Sequence, residues 1–279
     1  MIKGINKLAV LKICVVLAAS VCILVLTNIN NEAVHATSLE KQSQLLHIDS
    51  LKSNAPVQQQ RPKSLSELRR KYSETFKFRG PEVKQVALTF DDVPDPRFTP
   101  QILEELSKHG VRATFFVVGH RAEKHPDLLR RIHSEGHIIG NHSYSHPQFG
   151  SRSVIQFQQE ILRTEQIIAN IIGYRPRLIR PPYGEITENQ VRWVKQHGYK
   201  LVNWNVDSLD WKGIDKEKVK RNVLNAAGAG SIILMHGGGG TSSDLSGSIA
   251  ALPDIITGLR DKGYQFVTLP ELLDMYEAK

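Results

Sequence analysis

The sequence predicts an α/β protein built on parallel strands that helices cover, in an open sheet or a closed barrel. Two observations predict it. Beyond Pro81, short apolar runs alternate with amphipathic stretches for roughly two hundred residues, the pattern of repeated strand and helix units. In addition, Asp91, His142, Arg180, Asp207 and His236 fall at or just after the ends of predicted strands, and an α/β barrel carries its chemistry on that face.

The elements follow in chain order. Residues 85–90 read as a strand and 99–109 as a helix, with Thr99 as its N-cap and Pro100 in its first turn. Residues 113–118 read as a strand and 127–134 as a helix. Strands are expected at 137–139, 178–179, 200–206, 231–235 and 264–267, with helices between them. No internal repeat is visible.

The N-terminal third is different. Lys3, Lys7 and Lys12 precede an uncharged apolar run over 13–26, the layout of a secretory segment, and Val34-His35-Ala36 offers small residues where a signal peptidase reads. Residues 8–27 also approach membrane-spanning length if Lys12 snorkels, so residues 1–36 are expected to be a signal peptide or an uncleaved membrane anchor. Either way the early lysines orient the chain with Thr37 onward outside the cytoplasm, secreted or held at the outer face of the membrane or wall. Residues 37–82, with Gln58-Gln59-Gln60 and Pro62, read as a polar linker with a short helix near 66–76. Residues 83–279 are the expected folded domain.

A hydrophobic fraction of 41% is ordinary for a globular core, which excludes a disordered or fibrous protein. Cys14 and Cys22 both lie in the apolar run, so the exported part has neither a disulfide nor a thiolate metal site. Any catalytic metal must be held by histidine and carboxylate. Residues 1–36 hold three lysines and one glutamate of the chain's 36 basic and 28 acidic residues, so the formal charge of +8 falls to +6 beyond them. A basic surface suits a polyanionic wall or membrane face as well as plain solubility, and no basic cluster interleaved with aromatics points to nucleic acid.

Asp91 and Asp92 follow a strand, where adjacent carboxylates point in different directions; one can bind a metal while the other handles a proton, although a turn or cap would use the same pair. His142 and His146 have the i, i+4 spacing that brings two imidazoles to one side of a helical turn, and Asp92 is the candidate third ligand of a metal site with an open position. Arg180-Pro181-Pro182-Tyr183-Gly184 puts a cation after a strand on a stiff backbone suited to an oxyanion-binding N–H; the same letters fit a surface turn. His236 ends a strand before four glycines. His236-Gly237-Gly238-Gly239 is similar to the oxyanion loop of serine esterases, but the chain has no Gly-x-Ser-x-Gly elbow.

Taken together, these segments resemble the polysaccharide deacetylases of the NodB-homology type, carbohydrate esterase family 4, over residues 83–276. Thr89-Phe90-Asp91-Asp92 resembles the first motif, which implies Asp91 as general base and Asp92 as metal ligand. His142-Ser143-Tyr144-Ser145-His146 resembles the second and implies the other two ligands. Arg180 to Gly184 resembles the third, implying that Arg180 orients Asp91 and that the Tyr183 N–H helps bind the oxyanion. Asp207-Ser208-Leu209-Asp210-Trp211 resembles the fourth, with Asp210 orienting the catalytic histidine and Trp211 lining the sugar groove. Leu234-Met235-His236 resembles the fifth, with His236 as general acid and Leu234 near the acetyl methyl. The resemblance implies a distorted (β/α)7 barrel. In one departure, Val93-Pro94 stands where the first motif usually continues Gly-Pro; a valine there would be strained at positive φ, or would narrow the pocket.

The expected reaction is metal-dependent removal of N-acetyl groups from N-acetylglucosamine units of peptidoglycan, a chitin-like oligomer or poly-N-acetylglucosamine. The expected cofactor is one divalent ion, most simply Zn²⁺, with Co²⁺ compatible with the same ligands. The partner is the glycan, with no nucleic acid and membrane contact only through an uncleaved N-terminus. An O-acetyl esterase on the same scaffold, a hydrolase of small amides and a catalytically silent glycan binder are the competing readings.

Overall fold

A computed structural model of the chain describes residues 62–276 and 278; the expectations for residues 1–61, the export segment and the first part of the linker, lie outside them. The compact unit begins at Pro62, well before residue 83. Helix α1 (Leu65–Lys71) starts on a reciprocal cap, Ser64 Oγ accepting the Glu67 N–H and the Glu67 carboxylate accepting the Ser64 N–H. Leu68 and Phe76 are fully buried, and β1 (Phe76–Lys77) joins the sheet beside β6 (Lys200–Val202). The later half of the expected linker is therefore folded. Its apolar residues are too few to show a period, yet Leu68 and Phe76 join a buried cluster against which Leu65 and Tyr72 pack.

The remaining strands are β2 (Gln85–Val93), β3 (Thr114–Val117), β4 (Ile138–Asn141), β5 (Leu178–Ile179), β7 (Val206–Asp207), β8 (Ser231–His236) and β9 (Gln265–Phe266). They run in the order β1-β6-β5-β4-β3-β2-β8-β7, with β9 beside the start of β2, and every strand pair is parallel. The single strand expected over 200–206 is divided. Its first half pairs with β5 and its second with β8, because the chain changes neighbours between them: the Asn203 N–H donates to Lys77 O and the Asn205 N–H to Ile232 O. This passage curls the sheet into the distorted barrel.

Helices α2 (Thr99–Lys108), α3 (Gly119–Lys124), α4 (Pro126–Ser134), α5 (Val154–Ile172), α6 (Glu188–Gln196), α7 (Lys216–Ala226), α8 (Ser246–Asp261) and α9 (Leu269–Leu273) complete the unit. Thr99 is the first residue of α2 and not its N-cap, which is Phe98; its hydroxyl instead accepts the Asp95 N–H and donates to Gly237 O.

Alternation along the strands positions the site. Val86, Leu88 and Phe90 share one apolar cluster with Ile102 of α2 and Ile255 of α8, so this parity faces the helices. Ala87 belongs to a second cluster with Phe116, Ile138, Leu178, Val202 and Ile232, which fills the barrel interior. Continuing the inward parity by steps of two leads to Asp91 on β2, His142 after β4, Arg180 after β5, and Leu234 and His236 on β8. Four strands thus aim their last inward side chains at one place.

Candidate active site

That place is a cavity of about 500 Å³ lined by Asp91, Asp92, His142, His146, Tyr183, Asp207, Trp211, Leu234 and His236, among others. Asp92, His142 and His146 present ligand atoms that all lie within 4.8 Å of one another. The Asp92 Oδ1 is 3.8 Å from His142 Nε2 and 3.3 Å from His146 Nε2. The two histidines do not share a helical turn, as their spacing suggested. They flank a loop in which Ser143 (φ 67) and His146 (φ 60) adopt left-handed backbone conformations.

The donor set fits a divalent cation. His142 Nδ1 lies 2.7 Å from the Arg180 carbonyl oxygen, which can only accept, so Nδ1 carries the proton and Nε2 offers its lone pair to the cavity. Burial, with His146 beside it, pushes the His142 pKa down to about 3, which keeps the ring neutral as a ligand must be.

Asp91 is buried beside this triad. Its Oδ1 accepts from Arg180 Nη1 at 2.8 Å, and its Oδ2 faces His142 Nε2 at 3.6 Å. Arg180 is wholly buried: Nη1 also donates to Thr89 Oγ1, Nε to Val202 O, and the guanidinium lies 4.2 Å from the centre of the Phe116 ring. Burial lifts the Asp91 pKa above the ordinary aspartate value against the opposing pull of Arg180 and His236, making it a stronger base than a solvated carboxylate.

His236 stands in register with Asp91 on the neighbouring strand. Its Nδ1 is 2.8 Å from Asp210 Oδ1, and its N–H donates to Asp210 Oδ2, which also accepts from Ser248 Oγ. Burial disfavours charge on the ring, but Asp210, with Asp91 and Asp92 beyond it, outweighs burial and pushes the pKa up to about 9. Tyr183 holds φ 58 and ψ 8 in a 3₁₀ turn, and among the described residues nothing accepts its N–H. Its ring packs 4.9 Å from that of His146, while Tyr183 and Trp211 are 57% and 53% exposed and flank the cavity.

Val93 neither strains the backbone nor narrows the pocket. The positive φ belongs to Asp92 (φ 65), and Val93 is fully buried in the outer core, pairing with Val117. It forms part of the floor beneath the glycine loop after His236. A Cβ on Gly237 would fall 2.5 Å from Val93 Cγ1, and one on Gly238 only 2.1 Å from the Asp92 carbonyl oxygen. Gly238→Ala must therefore displace a candidate metal ligand. It is expected to destabilise the fold by about 1–3 kcal/mol and to weaken metal binding, read by denaturant unfolding and metal titration.

Several residues of the cavity carried no sequence signal. Arg121, His120, Trp204, Ser243 and Leu245 line it from separate loops and helices. Asp95, 2% exposed, accepts from the Arg97 and Arg121 side chains, and both arginines donate to Gly239 O, clamping the glycine loop to the turn after β2. Burial raises the Asp95 pKa, but these donors outweigh it and push it down to about 2.

A curled parallel sheet whose strand ends gather two carboxylates, two imidazoles and a carboxylate-paired histidine is the frame of a metal-dependent hydrolase. The chain belongs to the polysaccharide deacetylase family, whose model matches residues 79–202. A Bacillus cereus protein named peptidoglycan-N-acetylglucosamine deacetylase is 48% identical over 198 residues, 71% of this chain and 71% of its own length. PdaC of Bacillus subtilis, named a peptidoglycan-N-acetylmuramic acid deacetylase, is 40% identical over 84% of this chain; the match spans 47% of that longer protein. The crystal structure of a peptidoglycan N-acetylglucosamine deacetylase in complex with 4-naphthalen-1-yl-N-oxidanyl-benzamide is similar with a TM-score of 0.72 at 44% identity, covering 74% of this chain and 97% of that one.

Proposed function

We propose that this chain hydrolyses the N-acetyl group of N-acetylglucosamine residues in peptidoglycan, releasing acetate and leaving a free amine on the sugar. The observation that carries the reading is the pairing, in register on adjacent strands, of Asp91 and His236 beside the Asp92, His142 and His146 cluster. The names of the relatives supply the polymer.

Asp92, His142 and His146 would hold a divalent ion, most simply Zn²⁺, which would supply Lewis-acid polarisation of the acetyl carbonyl and acidify water. Asp91 takes the proton of the attacking water on Oδ2, the oxygen that Arg180 leaves open. The Tyr183 N–H donates to the oxyanion that develops on the carbonyl oxygen. His236, protonated at Nε2 because Asp210 holds Nδ1–H, gives that proton to the departing sugar nitrogen. Leu234 meets the acetyl methyl, and Trp211 and Tyr183 hold the sugar ring.

The amine leaves only if His236 is charged. A raised histidine pKa means that the Asp210 partnership contributes stability fully below the ordinary value of 6.5 and loses it as pH rises through about 9. The alkaline limb of kcat/KM is expected to lie well above 6.5. Asp210→Asn should bring it down by one unit or more and cut the rate about 10-fold or more, measured as a pH profile of acetate release.

Residues 1–36 support an extracytoplasmic site of action, as signal peptide or anchor, with the stretch before Pro62 as tether. The purified chain is expected to release acetate from N-acetylglucosamine oligomers and peptidoglycan, to stop with chelator and to recover with Zn²⁺. Release from O-acetyl glycans alone would replace this reading with that of an esterase. A free amine found on muramic acid would change the sugar while keeping the chemistry.

A further inference from the structure

The loop from His142 to His146 carries two of the three candidate metal ligands on a backbone with two left-handed residues, Ser143 and His146. Such a loop needs outside support. Its carbonyls find it on α3, where the Gly119 N–H donates to Ser143 O and the His120 N–H to Tyr144 O. Two of its N–H groups are satisfied locally, that of Ser143 by Asn141 Oδ1 and that of His146 by Ser143 Oγ. The His142 N–H donates to Val117 O on β3, and the remaining two, of Tyr144 and Ser145, both donate at 2.8 Å to one oxygen of Glu160 on α5. The Ser145 hydroxyl donates to the other carboxylate oxygen at 2.8 Å. The next residue along the helix completes the grip, because Ile161 O accepts from Asn141 Nδ2 at 2.8 Å.

We infer that Glu160 is a positioning residue of the metal centre, a strap from α5 that fixes the spacing of the two imidazoles and thereby sets the affinity for the ion. Glu160 lies 14 positions after His146 and at no strand end, so nothing in the sequence links it to the site. A glutamate on a helix normally spends its carboxylate on water or a nearby lysine. This one accepts three donors from a single ligand-bearing loop. Without the strap, the loop must be ordered when the ion binds, and the cost appears as lost affinity.

The inference rests on Asp92, His142 and His146 being the ligands. The test is calorimetric titration of the metal-free full chain with Zn²⁺, alongside thermal melting of the metal-free protein. Glu160→Ala is expected to weaken Zn²⁺ binding about 10- to 100-fold with little change in the metal-free melting temperature. Glu160→Gln should restore most of the affinity, since its amide oxygen can accept both N–H groups while its NH₂ donates to Ser145 Oγ. Unchanged affinity in Glu160→Ala overturns the strap, and Glu160→Gln as weak as alanine assigns the effect to charge and overturns it equally. Were Glu160→Ala to unfold, Ser145→Ala removes one of the three bonds at an exposed residue, and unchanged affinity there decides against the strap. Failure of the unaltered chain to bind Zn²⁺ would instead overturn the ligand assignment itself.

Discussion

Replacing Asp91 with asparagine is expected to lower kcat about 10²- to 10⁴-fold while the metal site still loads. The amide keeps an oxygen for Arg180 Nη1, so the geometry at Oδ1 survives, but the group nearest His142 Nε2 becomes an NH₂ that accepts no proton. Asp92, and not Asp91, makes the shared approach to both imidazoles, so metal stoichiometry should stay at that of the unaltered chain. Arg180 retains Thr89, Val202 and the Phe116 face, which limits the loss of stability. The measurements are acetate release at saturating metal and glycan, with metal content read on the same sample. A variant with near-normal kcat would remove the base from Asp91, and one that lost its metal would make Asp91 a ligand.

The residues that the structure brings together were legible for a physical reason. Asp91, Arg180 and His236 sit at strand ends, where the alternation that sorts core from helix layer also decides which side chains look into the barrel. The pairing of Asp91 with His236 is a register of neighbouring strands, and the ordered motifs pointed to the same residues. Contacts made by the curl of the sheet were not legible. Arg97 reaches carbonyls more than 140 residues away, and Glu160 reaches the histidine loop from the side of a helix. His142 and His146 looked helical because spacing alone carries no φ, and the left-handed conformations of Ser143 between them and of His146 itself remove the turn. Residues 62–82 looked like tether because their burial depends on β6, more than a hundred positions later.

Arg180→Met is expected to destabilise the unit by about 3–5 kcal/mol and to abolish activity, the larger stability effect of the two halves of this pair. The guanidinium is fully buried and is the charged partner of an equally buried Asp91, so methionine fills the volume but leaves a carboxylate with no counter-charge. The Val202 and Asn203 carbonyls lose their donor with it. Arg180→Lys should recover part of the stability and little activity, since one ammonium cannot serve Asp91, Thr89 and two carbonyls together. The deficit has a pH signature with a definite sign. Burial already raises the Asp91 pKa, and removing Arg180 raises it further, so the carboxyl is harmless when protonated. A group whose folded pKa is raised contributes fully below its unfolded value and loses that contribution as pH rises, so the variant's deficit should be small near pH 3.8 and widen above it. Urea melts at several pH values provide the curve. Arg180→Met combined with Asp91→Leu removes both charges from the interior, and most of the lost stability should return without any activity. If instead the double variant were as unstable as the sum of the singles, the cost would lie in packing against Phe116 and in the orphaned carbonyls, and the ion pair would not be what holds Asp91 in place.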